Sequence, residues 1–246
     1  MTRRINWFFL ASPASFFAVA GRLTPWFAGA SVLLLAAGLY VGFGIAPDDY
    51  QQGSVYRIIY IHVPAAWMSM FIYLLMAGYG VLALTFNTRL SAMMVLALAP
   101  TGAWFTVIAL ITGSIWGRPT WGTYWVWDAR LTSELFLLFL YLGVLALHHA
   151  HADPKRADRA AALLAIVGAI NVPIIYFSVK WWNTLHQGAS ISLTAAPKMA
   201  MTMLTAMLLV ALAAWCYTFA VSFTRVRTII LEREGRSDWL QKKVSA

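Results

Sequence analysis

Six stretches of this sequence, at about residues 25–45, 64–85, 91–115, 131–150, 160–179 and 199–223, are long and apolar enough for helices that cross a bilayer. A hydrocarbon core of about 30 Å takes roughly 20 such residues per helix. Of the 246 residues, 61% are hydrophobic and only 11% charged, with a mean hydropathy of +0.70. A soluble chain carries about 25% charge, and this one could not hide its apolar surface behind so few polar groups. The chain therefore reads as an all-α polytopic membrane protein, a single integral membrane domain over residues 1–246 with six transmembrane helices. Pro64 is expected in the first turn of the second span, where its missing N–H costs nothing, leaving His62 just outside that helix. Pro100 with Gly102, and Pro173 after Asn171, are expected to kink the third and fifth spans.

Net charge is +9, from 18 Lys and Arg against 9 Asp and Glu. The cations lie between apolar runs rather than on one patch, which points to membrane orientation and lipid contact and not to nucleic acid. Six spans place both termini on one side. Arg57, Arg118, Arg130, Lys180 and Lys198 fall on the other side, and the remaining cations share the side of the termini. By the positive-inside rule the termini are cytoplasmic and segments 46–63, 116–130 and 180–198 lie outside. The basic, then apolar, N-terminus lacks a cleavage site and is expected to stay on the mature protein. Residues 224–246 are expected to form at most a short mixed-charge cytoplasmic helix. The single cysteine, Cys216, excludes a disulfide framework, a CxxC redox pair and a CxxCH site for covalent haem attachment.

The outer segments carry the chemistry. The middle one reads Trp116-Gly-Arg118-Pro-Thr-Trp121-Gly-Thr-Tyr124-Trp125-Val-Trp127-Asp128-Ala-Arg130, a Trp-rich loop. Isolated tryptophans commonly rest at headgroup level; at this density they read as an aromatic platform for a flat ligand. Trp121 and Trp125, four apart, would share one face of a short helix. Each flanking segment supplies one histidine, His62 and His186, and two imidazoles can occupy both axial positions of a haem iron. Arg57, Arg118 and Arg130, with Lys180, would then suit the propionates. Asp128 is expected to cap the fourth span or pair with Arg130, and Glu134 to face the bundle or a wet outer pocket. His148, His149 and His151, followed by Asp153, resemble a metal-binding spacing, but one such tract is weak evidence. No phosphate-cradling loop, Ser/His/Asp set or HExxH motif appears, so no ATPase site or hydrolytic centre is expected in this chain.

Three segments in fixed order resemble the haem exporter protein C family, the tryptophan-signature haem-handling proteins of cytochrome c maturation. They are Asp49-Tyr50-Gln-Gln-Gly with Arg57-Ile-Ile-Tyr-Ile-His62-Val-Pro; Trp116 to Asp128 continued by Ala-Arg-Leu-Thr-Ser-Glu134; and Trp181-Trp-Asn-Thr-Leu-His186-Gln-Gly. The likeness runs along about residues 20–230. Thr120 stands where the family pattern has methionine, and Tyr124 where it has tryptophan.

The resemblance implies a non-enzymatic protein of the bacterial inner membrane that binds haem b non-covalently at the periplasmic face. It implies His62 and His186 as axial ligands, and Trp116, Trp121, Tyr124, Trp125, Trp127, Asp128, Arg57, Arg118 and Arg130 as the surrounding site. The implied partners are the ATPase and membrane subunits of an ABC-type transporter, a small one-span accessory protein and a membrane-anchored haem chaperone. The rival readings are a haem synthetase or lyase, a cytochrome b-type electron-transfer subunit and a permease built on Asn171-x-Pro173. Because iron takes the neutral imidazole, acidification below roughly pH 6.5 is expected to weaken the site.

Overall fold

The structure, a computed structural model, describes residues 11–186, 197 and 199–244. It is all-helical among these residues, and six helical stretches are long and apolar enough to cross a membrane. The first is α1 (Pro13–Tyr40), continued by a π-helical turn Val41–Ile45; a 3₁₀ turn Ser54–Ile58 leads directly into α2 (Ile59–Phe86). Then follow α3 (Arg89–Trp121), α4 (Ala129–His149), the pair α5 (Pro154–Gly168) and α6 (Asn171–Trp181), α7 (Met201–Glu234) and a short α8 (Asp238–Val244).

Local chemistry sets the boundaries. Ser12 caps α1 by accepting from the Ser15 amide at 3.2 Å, with Pro13 as the first helical residue. The first span therefore begins at Pro13 rather than at about residue 25, and Arg22 and Pro25 sit inside the helix. Asp153 caps α5 in the same way, with Pro154 next. At the far end of α3, Gly122 adopts φ +80°, the left-handed cap that ends a helix without a Cβ penalty.

Three expectations need correction. Pro64 lies inside α2, not in its first turn, because the 3₁₀ turn extends the helix back to Ile59; His62 is thus the fourth helical residue and not a loop residue. The fifth span is two helices, broken at Ala169–Ile170, and Pro173 falls among the first residues of α6, whose amides have no intrahelical partner anyway. Of the C-terminal region 224–246, residues up to Glu234 continue α7, so the separate short helix expected there is confined to α8 (Asp238–Val244). Pro100 stays within an uninterrupted α3.

Helix α1 packs against α7, and α2 lies centrally against α3, α5 and α7. The face of α1 carrying Trp26, Val32 and Leu33 is exposed, as lipid-facing apolar residues are. Inside, Tyr73 and Tyr141 meet edge to face with ring centres 4.9 Å apart, and the Tyr141 hydroxyl donates to the Ser69 carbonyl at 2.6 Å. A Cβ at Gly102 would collide with the Tyr141 ring, so a small residue lets α3 and α4 approach.

The start of α1 and the short α8 share one end of the bundle, where Phe17 and Trp239 meet at 6.1 Å. That end also holds the bidentate Arg233–Asp158 pair at 2.8 and 3.0 Å, and Glu234, which pairs with Arg89 at 3.2 Å and accepts from Trp239 Nε1 at 3.0 Å. The opposite end carries His62, His186 and the tryptophan segment that the sequence singled out.

Candidate functional site

The site forms where the far ends of α2, α3 and α4 meet the chain leaving α6. His62, buried at 8% exposure in the first turn of α2, and His186, half-buried just beyond α6, border one small cavity. Their ring centres are 6.3 Å apart, with planes tilted by 40°. Gly113 of α3 and Arg130 and Glu134 of α4 line the same space. Arg130 and Glu134 are four residues apart, so one face of α4 presents both.

Each polar neighbour has a definite role in the geometry. His62 Nδ1 lies 3.0 Å from Thr112 Oγ1. The Arg130 guanidinium donates to the Ile175 carbonyl at 2.8 Å, tying α4 to α6. The Ser69 hydroxyl donates to Glu134 Oε1 at 2.7 Å. Asp128 caps α4 by accepting from the Leu131 amide at 2.8 Å, and its second oxygen accepts from the Leu185 amide at 3.3 Å. One carboxylate thereby anchors both the start of α4 and the residue beside His186. Burial, with Arg130 and then His62 close by, pushes the His186 imidazole down to about 3. The ring is therefore neutral far below pH 6.5, and an acid sensitivity set near that value by His186 is corrected downward. Its Nδ1 is buried with no hydrogen-bond partner.

The tryptophans divide into two groups. Trp116 and Trp121 lie on the last turns of α3; Trp116 meets His62 edge-on at 5.7 Å, and Trp121 meets His186 at 5.1 Å. Trp116 is fixed by its Nε1, which donates to Gln52 Oε1 at 2.7 Å. Trp125 and Trp127 follow in irregular chain, edge to face at 5.4 Å, and Trp127 is exposed. The shared helical face expected for Trp121 and Trp125 does not form, because Gly122 ends the helix between them. Tyr124 is exposed beneath the Arg118 guanidinium, 5.7 Å from its ring centre, and Arg118 itself bonds the Gly122 carbonyl.

Arg57 points away from the histidines into the loop before α2. It donates to Asp48 at 3.0 Å and to the carbonyls of Gly42, Phe43 and Ala46 at 3.2, 2.5 and 3.1 Å. The structure thus gives it the role of closing the end of the π-helical turn. At the other end of the bundle, His149 and His151 donate to the carbonyls of Leu145 and Leu147, while His148 lies 3.7 Å from Asp158. Among the described residues no group of three or more His, Cys, Asp or Glu side chains could hold a metal ion. Residues 187–196 and Lys198, which complete the third outer segment, are outside the described residues. Thr112 and Gly113 were not singled out from sequence: their contact with His62 joins residues about fifty positions apart, and no local pattern signals it.

Fold and site together define a multi-pass helical membrane protein with a paired-histidine, tryptophan-framed site at the end of the bundle opposite its termini. Residues 6–241 match the family described as heme exporter protein C, CcmC. The heme exporter protein C of Escherichia coli strain K12 is 48% identical over 240 residues, 96% of this chain and 95% of that protein. That of Bradyrhizobium diazoefficiens is 50% identical over 228 residues, 93% and 86% of the two chains. A ccmC-like mitochondrial cytochrome c biosynthesis protein of Marchantia polymorpha is 52% identical over 159 residues, 65% of this chain and 67% of its own. The chain belongs to the heme exporter protein C family.

Proposed function

We propose that this protein binds haem b non-covalently, between His62 and His186, and passes it to a membrane-anchored chaperone for c-type cytochrome biogenesis. The observation that carries the reading is the pair of imidazoles at 6.3 Å. Two imidazoles bound to opposite sides of one metal, with bonds of about 2 Å, place their ring centres about 6 Å apart. The orphaned, buried Nδ1 of His186 is a second supporting observation, since a buried polar atom without a partner calls for one.

Haem is the cargo here, and the chain's own residues divide the work of holding it. Trp116 and Trp121 frame the two imidazoles and exclude water from them. Arg130 has no carboxylate within 4.0 Å among the described residues, which keeps its fork available for a propionate; Arg118, exposed near Tyr124, is the second candidate. Arg57 supports the loop on which Gln52 and Trp116 depend. Asp128 holds the His186 segment against α4. Trp125 and Trp127 offer an apolar edge toward solvent, suited to a flat ligand or to the recipient protein.

On this reading the termini are cytoplasmic and the site faces the periplasm across a bacterial inner membrane. ATP hydrolysis belongs to a partner ATPase of an ABC-type transporter whose membrane subunit, with a small one-span protein, completes the assembly. Affinity is moderate, since a carrier has to release what it holds. The chain carries out no covalent chemistry on haem.

Two measurements test this. Pyridine haemochrome analysis of the detergent-purified chain should report haem b, fully removed by acid–acetone. Retention after extraction would favour a lyase, and no haem under any loading condition would remove the proposal. Labelling of Thr123→Cys and Ser237→Cys on a Cys216→Ser background with an impermeant thiol reagent should mark only the former in spheroplasts.

A further inference from the structure

The hydrogen bonds around Thr112 determine which nitrogen of His62 carries its proton. The Thr112 hydroxyl has one hydrogen to donate. It lies 2.6 Å from the carbonyl of Ile108, one turn back on α3, and that carbonyl can only accept. With its hydrogen directed there, Oγ1 faces His62 Nδ1, 3.0 Å away, through a lone pair. The bond then requires the proton to sit on Nδ1, and in a neutral imidazole the other nitrogen, Nε2, is left with a free lone pair.

We infer that Thr112 is a positioning residue that holds His62 in the Nδ1–H tautomer and so presents Nε2 as the metal-binding atom. Gly113 completes the seat: a Cβ there would lie 2.9 Å from His62 Cε1, so only glycine lets the ring rest against α3 at this height. The two histidines are therefore unequal. His62 is fixed from behind by a hydroxyl, whereas His186 Nδ1 has no partner. This rests on the reading of His62 as a ligand. It adds the group that orients the ligand, as the partner of a metal-bound histidine commonly does.

The direct test needs no haem. In haem-free protein labelled with ¹⁵N-histidine, with the His62 signals assigned by their absence in His62→Ala, Nδ1 should show the shift of a protonated nitrogen and Nε2 that of an unprotonated one. Thr112→Val, which keeps the shape and removes the hydroxyl, should abolish that preference and weaken haem binding about tenfold. Thr112→Ser should restore both. Gly113→Ala should displace the ring and alter the haem spectrum even with Thr112 intact. An Nε2–H tautomer in the wild type, or a Thr112→Val protein with unchanged tautomer and unchanged haem affinity, overturns the inference. A correct tautomer together with a His62→Ala haem spectrum identical to wild type overturns the ligand reading instead, and with it the purpose given to the bond.

Discussion

At the end of the bundle that carries the termini, Arg233 meets both oxygens of Asp158, and Glu234 serves Arg89 and Trp239. At the opposite end, Arg130 bonds a backbone carbonyl, Arg118 does the same, and neither has a carboxylate within 4.0 Å among the described residues. The difference separates two uses of polar groups in a membrane protein. Cations answered by carboxylates of the same chain hold helices together. Arg118 and Arg130, answered by backbone carbonyls and, for Arg118, by the Tyr124 ring, keep hydrogen-bonding capacity for an acidic group from outside the chain.

Breaking the terminal end should therefore cost stability and spare the site. Asp158→Ala strands the half-buried Arg233, at about 2 kcal/mol for a pair between the exposed and fully buried limits. Thermal unfolding in detergent should show a lower Tm, with the haem spectrum of the folded fraction unchanged. A lost spectrum at unchanged Tm would erase the contrast between the two ends.

Arg130→Ala should do the reverse. Haem should bind about tenfold more weakly, the loss of one charge-assisted hydrogen bond of about 1.5 kcal/mol. Tm should fall less than in Asp158→Ala. Arg130→Lys should recover only part of the affinity, because an ammonium lacks the guanidinium fork. Titration of the haem-free proteins with haem measures the two affinities, and thermal unfolding in detergent the Tm.

The pH response sharpens the comparison further. The His186 imidazole sits at about 3 in the folded chain, against about 6.5 when unfolded. Between these values the unfolded chain binds a proton that the folded one does not. The stability this neutral ring contributes is complete above about pH 6.5 and is lost as pH falls toward 3, at up to about 1.4 kcal/mol per unit. Denaturation at pH 7, 6 and 5 should show that slope, and His186→Ala should flatten it. A slope unaffected by the substitution would mean that His186 is not held neutral by burial.

The smallest effect is expected at Trp125, whose ring sits in irregular chain away from both imidazoles. Trp125→Phe keeps an aromatic edge toward Trp127 and removes an N–H that has no partner. Haem affinity should change less than threefold, within about 0.6 kcal/mol of the stacking range for one aromatic contact. A loss as large as that of Arg130→Ala would put the platform, not the histidine cavity, at the centre of the site.

The number of membrane-crossing helices was legible because apolar length is a local property of the chain. Asp128 as a cap was legible for the same reason: a carboxylate just before an apolar run satisfies amides within three residues of itself. What escaped depends on neighbours distant in sequence. Pro64 suggested a helix start, but the turn at Ser54–Ile58 carries the helix past it. The spacing of Trp121 and Trp125 suggested one face, until Gly122 ended the helix between them. Arg57 was expected to suit a propionate, yet four acceptors from residues 42–48 converge on it. The second oxygen of Asp128 reaches Leu185, across 57 positions, and nothing near Asp128 announces that bond.

The proposed function turns on two imidazoles sharing one iron, and an absorption and electron paramagnetic resonance spectrum of the loaded protein reads that directly. Wild type should be six-coordinate and low-spin. His62→Ala and His186→Ala should each open one coordination position, move the spectrum toward high spin and lower occupancy, with added imidazole restoring the low-spin form. His149→Ala, at the other end of the bundle, should leave the spectrum as in wild type. A wild-type spectrum in both His62→Ala and His186→Ala would contradict bis-histidine ligation, even if haem still copurified.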